Sequence, residues 1–307
     1  MFLEKTCCEN LRQSRLPSIT SHRCHVRCYQ FVLWRNSLLH HNMSLDLFFN
    51  RSPVSTEQGV SNFLSKEQTA AVRKCRVAES RFKDFFKRWP RLYEALFAMI
   101  GPSLLTGVSS KRFVQQLPAG SRVLSAGSGT RRLSASTVNV DLFAFNGVNV
   151  VADLSDLPFH TNVFDAVTCE QVLEHVQHPL AVVAELYRVV KPGGLIHVAS
   201  PFLFPWHASP SDYTRWTQEG LRSLFPNCTV QQEGIMAGPF SALNAFLPAF
   251  LATLFCFGSV RLQSILQWMI LIPCAPIKLL DIVFARMPGA KLCAANFFLI
   301  VRKSDAV

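Results

Sequence analysis

The run Val123-Leu124-Ser125-Ala126-Gly127-Ser128-Gly129-Thr130 constrains the fold more than any other stretch of this chain. A short apolar segment passes straight into a Gly-x-Gly turn. Glycine there lets the backbone come close to a neighbour or a ligand that a Cβ would keep away. The apolar run at 122–125 is the first of several, followed by β-branched runs at 138–141, 148–153, 166–169 and 195–199, with helices predicted over 180–190 and 217–224. Lys191-Pro192-Gly193-Gly194 predicts a turn that stops the first of these helices. Strands alternating with helices imply an α/β domain built on a mostly parallel sheet with right-handed crossovers.

In such a sheet ligands bind beyond the carboxyl ends of the strands. Asp141 closes one predicted strand and Asp153 the next. The first is placed to accept both hydrogen bonds of a ribose diol, and the second to meet an exocyclic amine. A dinucleotide fingerprint would need a third glycine and an acid about 20 residues on. Arg131 and Arg132 stand where that glycine would be, and Asp141 follows Gly129 by only twelve residues. The spacing argues against NAD.

Four motifs occur in order: Leu124 to Thr130; Ala152-Asp153-Leu154-Ser155-Asp156-Leu157-Pro158-Phe159; Phe164-Asp165-Ala166-Val167 through Leu173-Glu174-His175-Val176; and Glu185-Leu186-Tyr187-Arg188 through Gly193-Gly194. Over about 121–200 the chain resembles the type 11 class I S-adenosylmethionine-dependent methyltransferases. The resemblance implies a Rossmann-like, seven-stranded, mostly parallel sheet with S-adenosylmethionine at the strand ends. It implies Gly127, Ser128 and Gly129 at the methionine moiety, Asp141 at the ribose, Asp153 and Leu154 at the adenine, and Glu170 beside the transferred methyl. Ser125 stands where the family usually has an acid, and Arg131 where it has a further glycine. In this the chain is similar to the variant found in bacterial cell-surface glycan pathways.

The segment 201–217 follows the fifth predicted strand, where the substrate mouth of such a sheet lies. Its prolines fix its course, and His207, Asp212, Tyr213 and Arg215 offer acid, base and anion-binding groups. Methyl transfer mostly requires alignment of the reactants and exclusion of water. A base is needed for a hydroxyl acceptor, and His207 is the expected one, with Asp212, Tyr213 and Arg215 as substrate contacts. His175 is a core or lid histidine. No resident metal is expected. The cluster His22, Cys24, His25 and Cys28 lacks the second ligand pair of a structural zinc site.

The two ends of the chain differ from this middle. With 31 Lys+Arg against 20 Asp+Glu the net charge is +11. Residues 1–95 hold 16 of the basic and 8 of the acidic residues, and no nucleic-acid motif, so a membrane surface is the expected partner and nucleic acid is not. Phe82, Phe85, Phe86, Trp89, Leu92, Tyr93, Leu96 and Phe97 recur at helical steps among Lys and Arg. No charge occurs between Glu233 and Arg261, nor from Leu262 to Ile277. If 295–301 is the last strand of one sheet, that apolar stretch leaves the sheet and must return to it, so it crosses a bilayer an even number of times or not at all.

The expected organisation is therefore an extension or disordered segment at 1–60, a helical segment at 61–115, the α/β core at 116–235, an apolar helical insertion at 236–292 and a returning strand at 293–307. Whether 1–42 belong to the mature chain is left open. Ten scattered cysteines suit a reducing compartment. The expected activity is methyl transfer from S-adenosylmethionine to a membrane-associated or lipid-linked acceptor, such as a glycan or polyprenyl-type lipid, at the cytoplasmic face of a membrane. The alternatives are a soluble cytoplasmic enzyme for a small hydrophobic acceptor, lidded by the apolar segment, and a non-catalytic membrane module.

Overall fold

The computed structural model describes residues 45–78, 100–208 and 211–304. The predicted amphipathic helix across 82–97 and the His22–Cys28 cluster lie outside them. Among the described residues nine strands form one mixed sheet: β1 Ser55–Glu57, β2 Val60–Asn62, β3 Val123–Ala126, β4 Thr137–Asp141, β5 Val150–Val151, β6 Phe164–Glu170, β7 Val190–Pro201, β8 Cys228–Ala237 and β9 Asn296–Lys303, in the order β1-β2-β5-β4-β3-β6-β7-β9-β8. The expected count of seven is thus exceeded by two. The added strands form an edge hairpin at the boundary between the expected extension, 1–60, and the expected helical segment, 61–115. Gln58 and Gly59, both at positive φ, close its two-residue turn. β2 then continues the sheet by pairing parallel to β5.

Strands β5, β4, β3, β6 and β7 run parallel, so Ala126, Asp141, Glu170 and Pro201 all emerge on one edge. β3 has β4 on one side and β6 on the other, which makes this edge the switch point of the topology. β9 is antiparallel to both its neighbours, β7 and β8. It is buried on both faces, which explains its unbroken apolar sequence. Phe297, Leu299 and Val301 enter one core with Leu124, Phe164 and Ile196, while Phe298 and Ile300 enter the other with Val123 and Ala166.

Helix α1 is Lys66–Ala78. Helix α2, Ser110–Gln115, starts with Ser109 accepting the N–H of Arg112 and buries Phe113 against the second core. Helix α3, Pro179–Val189, opens with proline in its first turn and turns Val182, Val183, Leu186 and Val189 into the first core. The Lys191-Pro192-Gly193-Gly194 segment is part of β7, with Gly193 at φ 71° and a register shift against β6 between Phe164 and Ala166. Helix α4 is Gln218–Ser223, capped by Thr217.

Between β8 and β9 lie α5, Pro239–Phe255, α6, Val260–Cys274, and the short α7, Asp281–Phe284. Asp281, fully buried, accepts the N–H groups of Phe240 and Ser241 at 2.9 and 2.8 Å and so caps the start of α5 from 40 residues away. Lys278 donates to Gly101 O, and Asn244 to Pro102 O. The root of this helical unit is therefore locked to the sheet domain by polar ties. The outer surface of the pair is different: Leu243, Phe246, Phe250, Leu254, Phe257, Trp268 and Met269 are exposed along its length, Phe257 at the tip by 90%.

Candidate active site

The glycine turn is built from within. Gly127 sits at φ 69°, and a Cβ placed on it would meet Val172 Cγ2 at 2.3 Å. The side chain that requires glycine here belongs to the protein itself. Gly129, at φ 57°, is the opposite case, since a Cβ there would meet nothing within 4 Å. The N–H groups of Gly127 and Ser128 donate to Val140 O at 2.9 and 3.0 Å, and Ser128 is buried.

Asp141 braces this turn. Its Oδ2 accepts the N–H of Gly129 at 2.8 Å and its Oδ1 that of Phe143 at 2.9 Å. A carboxylate has about four acceptor positions, so bracing the turn is compatible with meeting a ribose diol. Asp153, half-buried, accepts the N–H and hydroxyl of Ser155 on one oxygen, and Leu154 beside it is buried.

Glu170, at the end of β6, is 4% exposed and fully engaged: Oε1 accepts from Arg131 Nη1, and Oε2 accepts the N–H of Ser110 at 2.6 Å. Burial pushes its carboxyl up, but the Arg131 guanidinium and the Ser110 bonds outweigh that and hold it below the usual carboxylate range. Arg131 occupies the expected third-glycine position and spans from the turn to β6. Gln171, next in the chain, was missed by the sequence reading. It holds φ 60°, unusual for a residue with a Cβ, and its buried amide nitrogen has no hydrogen-bond partner among the described residues. A strained residue with an unmet donor at a strand end points to a ligand.

The loop after β7 meets the 3-10 turn Leu173–His175 that follows β6. The N–H of Tyr213 donates to Glu174 O at 2.7 Å, and the hydroxyl of Thr214 to Leu173 O at 3.2 Å. Tyr213 itself is 38% exposed. Arg215 departs from its expected task. Its Nε donates to Phe204 O, Nη1 to Asp212 Oδ1 and Thr214 O, and Nη2 to Asp212 Oδ2 and Pro205 O. All five N–H donors of the guanidinium are thus used inside the loop. Asp212, 1% exposed at its side chain, also accepts the N–H of His207. Asp212 and Arg215 are therefore the buried tie of this loop, where substrate contacts were expected. Burial would raise the Asp212 carboxyl, but Arg215 and the His207 N–H hold it below the usual range.

His207 is 35% exposed, with its ring edge-on to His175 at 5.0 Å. Burial, with His175 beside it, lowers its pKa from the ordinary histidine value. Glu174 is fully buried, and burial pushes its carboxyl up to about 7. The sequence reading assigned Glu174 no role and left His175 undecided.

With this geometry in view, comparison with known proteins is decisive for the domain: residues 126–198 match the family model described as methyltransferase domain. A methyltransferase domain is present. An uncharacterized methyltransferase of Schizosaccharomyces pombe is 44% identical over 57 residues, 19% of this chain and 20% of that protein. A demethylmenaquinone methyltransferase of Renibacterium salmoninarum is 32% identical over 136 residues, 41% of this chain and 54% of that one. The chain thus spans from about a fifth to about half the length of these curated relatives. A phosphoethanolamine N-methyltransferase 2 of Haemonchus contortus, solved with phosphomonomethylethanolamine and S-adenosylhomocysteine, superposes with a TM-score of 0.44 at 17% identity, covering 74% of this chain and 61% of that one.

The cofactor of the domain is S-adenosylmethionine, and the residues present fit it. Space lies open over Gly129, Asp141 closes β4, Asp153 lies two residues past β5, and Gln171 holds a donor unmet among the described residues at the switch point.

Proposed function

We propose that this protein transfers a methyl group from S-adenosylmethionine to a quinone-type or other polyprenyl-type lipid held in a membrane. The observation that carries the reading is the exposed apolar surface of the α5–α6 hairpin. Among the described residues of 239–292, the exposed charges are Arg261, Arg286 and Lys291, all basic, while Asp281 is buried in the root. Apolar tip and basic flanks suit acyl chains and anionic headgroups. One stretch, Val260–Phe284, is long and apolar enough to cross a membrane, with 22% of its most apolar window buried. α5 has 17 residues, about 26 Å of helix, short of the ~30 Å of a bilayer core. Both ends of the unit also return to one sheet. A hairpin lying within one leaflet meets both constraints. A reducing, cytoplasmic face suits the free cysteines among the described residues, at 169, 228, 256, 274 and 293.

S-adenosylmethionine, when bound, supplies a methyl group made electrophilic by its sulfonium. The chain's task is alignment. Asp141 and Asp153 would hold the nucleoside, Gly129 leaves room for the backbone of the turn to approach it, and Gln171 would donate to an acceptor atom at the switch point. The tie of Asp212 and Arg215 sets the loop that covers the substrate mouth, where His175 and His207 offer basic nitrogens. The relative named a demethylmenaquinone methyltransferase supports a quinone-type lipid over a glycan.

The test is incubation of the purified chain with methyl-labelled cofactor and a membrane extract. Label in the lipid fraction is the expected result. Label only in water-soluble compounds, with full extraction of the protein in plain buffer, would favour the soluble alternative. Absence of cofactor binding by calorimetry would leave the non-catalytic one.

A further inference from the structure

One cluster over the substrate mouth is not accounted for by cofactor binding. A ring nitrogen of His175, a ring nitrogen of His207 and a carboxylate oxygen of Glu174 lie within 4.8 Å of one another. Glu174 and His175 follow β6 and His207 follows β7, so the parallel pairing of these strands is what brings them together.

The protonation pattern is set by the backbone. His175 Nδ1 is 2.6 Å from Ser211 O, and His207 Nδ1 is 3.1 Å from Pro205 O. A carbonyl only accepts, so each Nδ1 carries the proton, and each Nε2 is left as the basic nitrogen. This is the outer-sphere arrangement that orients metal-ligating imidazoles. Glu174 supplies the independent observation. Its Oε2 accepts from Ser200, but Oε1 is fully buried with no hydrogen-bond partner among the described residues, and His175 Nε2, 3.7 Å away, carries no proton to give it in this tautomer. A buried carboxylate oxygen 3.7 Å from the basic nitrogen of His175, with a ring nitrogen of His207 in the same cluster, calls for a cation.

We propose that Glu174, His175 and His207 bind one divalent transition metal, with zinc as the ion best suited to two imidazoles and a carboxylate. Three protein ligands with a fourth position open is the pattern of a catalytic rather than a structural zinc site. Ligand atoms around zinc stand about 3.3 Å apart for bonds of about 2.0 Å, so the cluster closes by roughly 1.5 Å at most on binding. His207, at 35%, is the most exposed of the three side chains.

The metal site stands on this geometry alone. Its use rests on the function proposed above: the open position takes a hydroxyl oxygen of the acceptor. The hydroxyl proton passes to water as the oxygen binds. The oxygen lone pair then forms the O–C bond while the S–C bond of the sulfonium breaks, its electron pair staying on sulfur.

The full chain, stripped with a chelator and titrated with Zn²⁺, is expected to bind one ion and to gain thermal stability. Co²⁺ in its place is expected to give the visible absorption of a low-coordinate nitrogen–oxygen site. Glu174→Gln and His207→Ala should each weaken zinc binding by more than about a hundredfold, beyond the roughly 10–100-fold typical of outer-sphere partners. Circular dichroism on both variants controls for folding, and the half-exposed His207 keeps the test open if Glu174→Gln unfolds. No zinc binding, or binding unchanged in both folded variants, overturns the proposal. Cofactor calorimetry on the stripped chain separates the outcomes: heat without zinc binding removes the metal and leaves the methyl-transfer reading standing.

Discussion

Arg131 reaches from the glycine turn to the end of β6 and pairs with Glu170, with Nη1 on Oε1 and Nη2 on the Glu170 carbonyl at 3.3 Å. The pair joins the two halves of the sheet at the switch point. It also puts a cation where the resembled family has a glycine. Glu170 is 4% exposed and Arg131 43%, so water replaces part of the guanidinium if Arg131 is removed. Arg131→Ala is therefore expected to cost about 1–2 kcal/mol, less than the ~3–5 kcal/mol of breaking a fully buried pair. Urea denaturation measures this directly, and an unshifted midpoint would show that the pair contributes nothing.

The double duty of Asp141 shapes a second prediction. Removing its side chain would loosen the turn through Gly129 and Phe143 as well as the proposed ribose contact. Asp141→Asn is the sharper variant, because the amide oxygen still accepts one of the two N–H groups. Its affinity for S-adenosylmethionine should fall at least about tenfold, equal to about 1.4 kcal/mol, the scale of a lost hydrogen bond to a charged group. Calorimetry checks it, and full affinity in the variant would remove Asp141 from the cofactor site.

The strand ends were legible because β-branched runs stop at acids and glycines. The runs predicted at 122–125, 138–141 and 166–169 overlap Val123–Ala126, Thr137–Asp141 and Phe164–Glu170. The β1–β2 hairpin was not legible, since Ser-Thr-Glu and Val-Ser-Asn carry no apolar pattern and exist as strands only by joining the edge at β5. Lys191-Pro192-Gly193-Gly194 has turn chemistry, yet pairing with β6 and β9 draws it into β7. At the strand ends, residue type singled out Asp141 and Asp153 as candidates. The saturation of Arg215 and the meeting of His207 with Glu174 depend on neighbouring strands and lay beyond any local signal.

Gly127 and Val172 make a third prediction. Alanine at 127 would bear the cost of φ 69°, about 1–2 kcal/mol, and a clash with Val172 of about 1–3 kcal/mol. Gly127→Ala alone should thus destabilise by about 2–5 kcal/mol. In a Val172→Ala background only the backbone part should remain. Equal effects of Gly127→Ala in both backgrounds, read from a double-mutant cycle, would show that Val172 is not what the glycine accommodates.

His197 sets the fourth. It is fully buried in β7, between Thr168 Oγ1 at 2.9 Å and Val108 O at 2.9 Å, stacked on Phe113 and near Phe298. Burial lowers its pKa, and Arg131 acts in the same direction, while the bond to Val108 and the charge of Glu170 oppose them without prevailing. In the unfolded chain this histidine takes up a proton near pH 6.5, whereas in the folded protein it does so only at lower pH. Between those two values the unfolded state binds more protons, so stability falls as pH drops below about 6.5, by up to about 1.4 kcal/mol per pH unit. The loss levels off once the folded form also protonates. His197→Gln should lessen this slope while lowering stability at neutral pH, because its geometry serves the two partners less well. Thermal unfolding from pH 7.5 to 5 measures the slope, and NMR of the ring protons reads the site itself. A His197 resonance titrating at an ordinary pKa in the folded protein would contradict the argument.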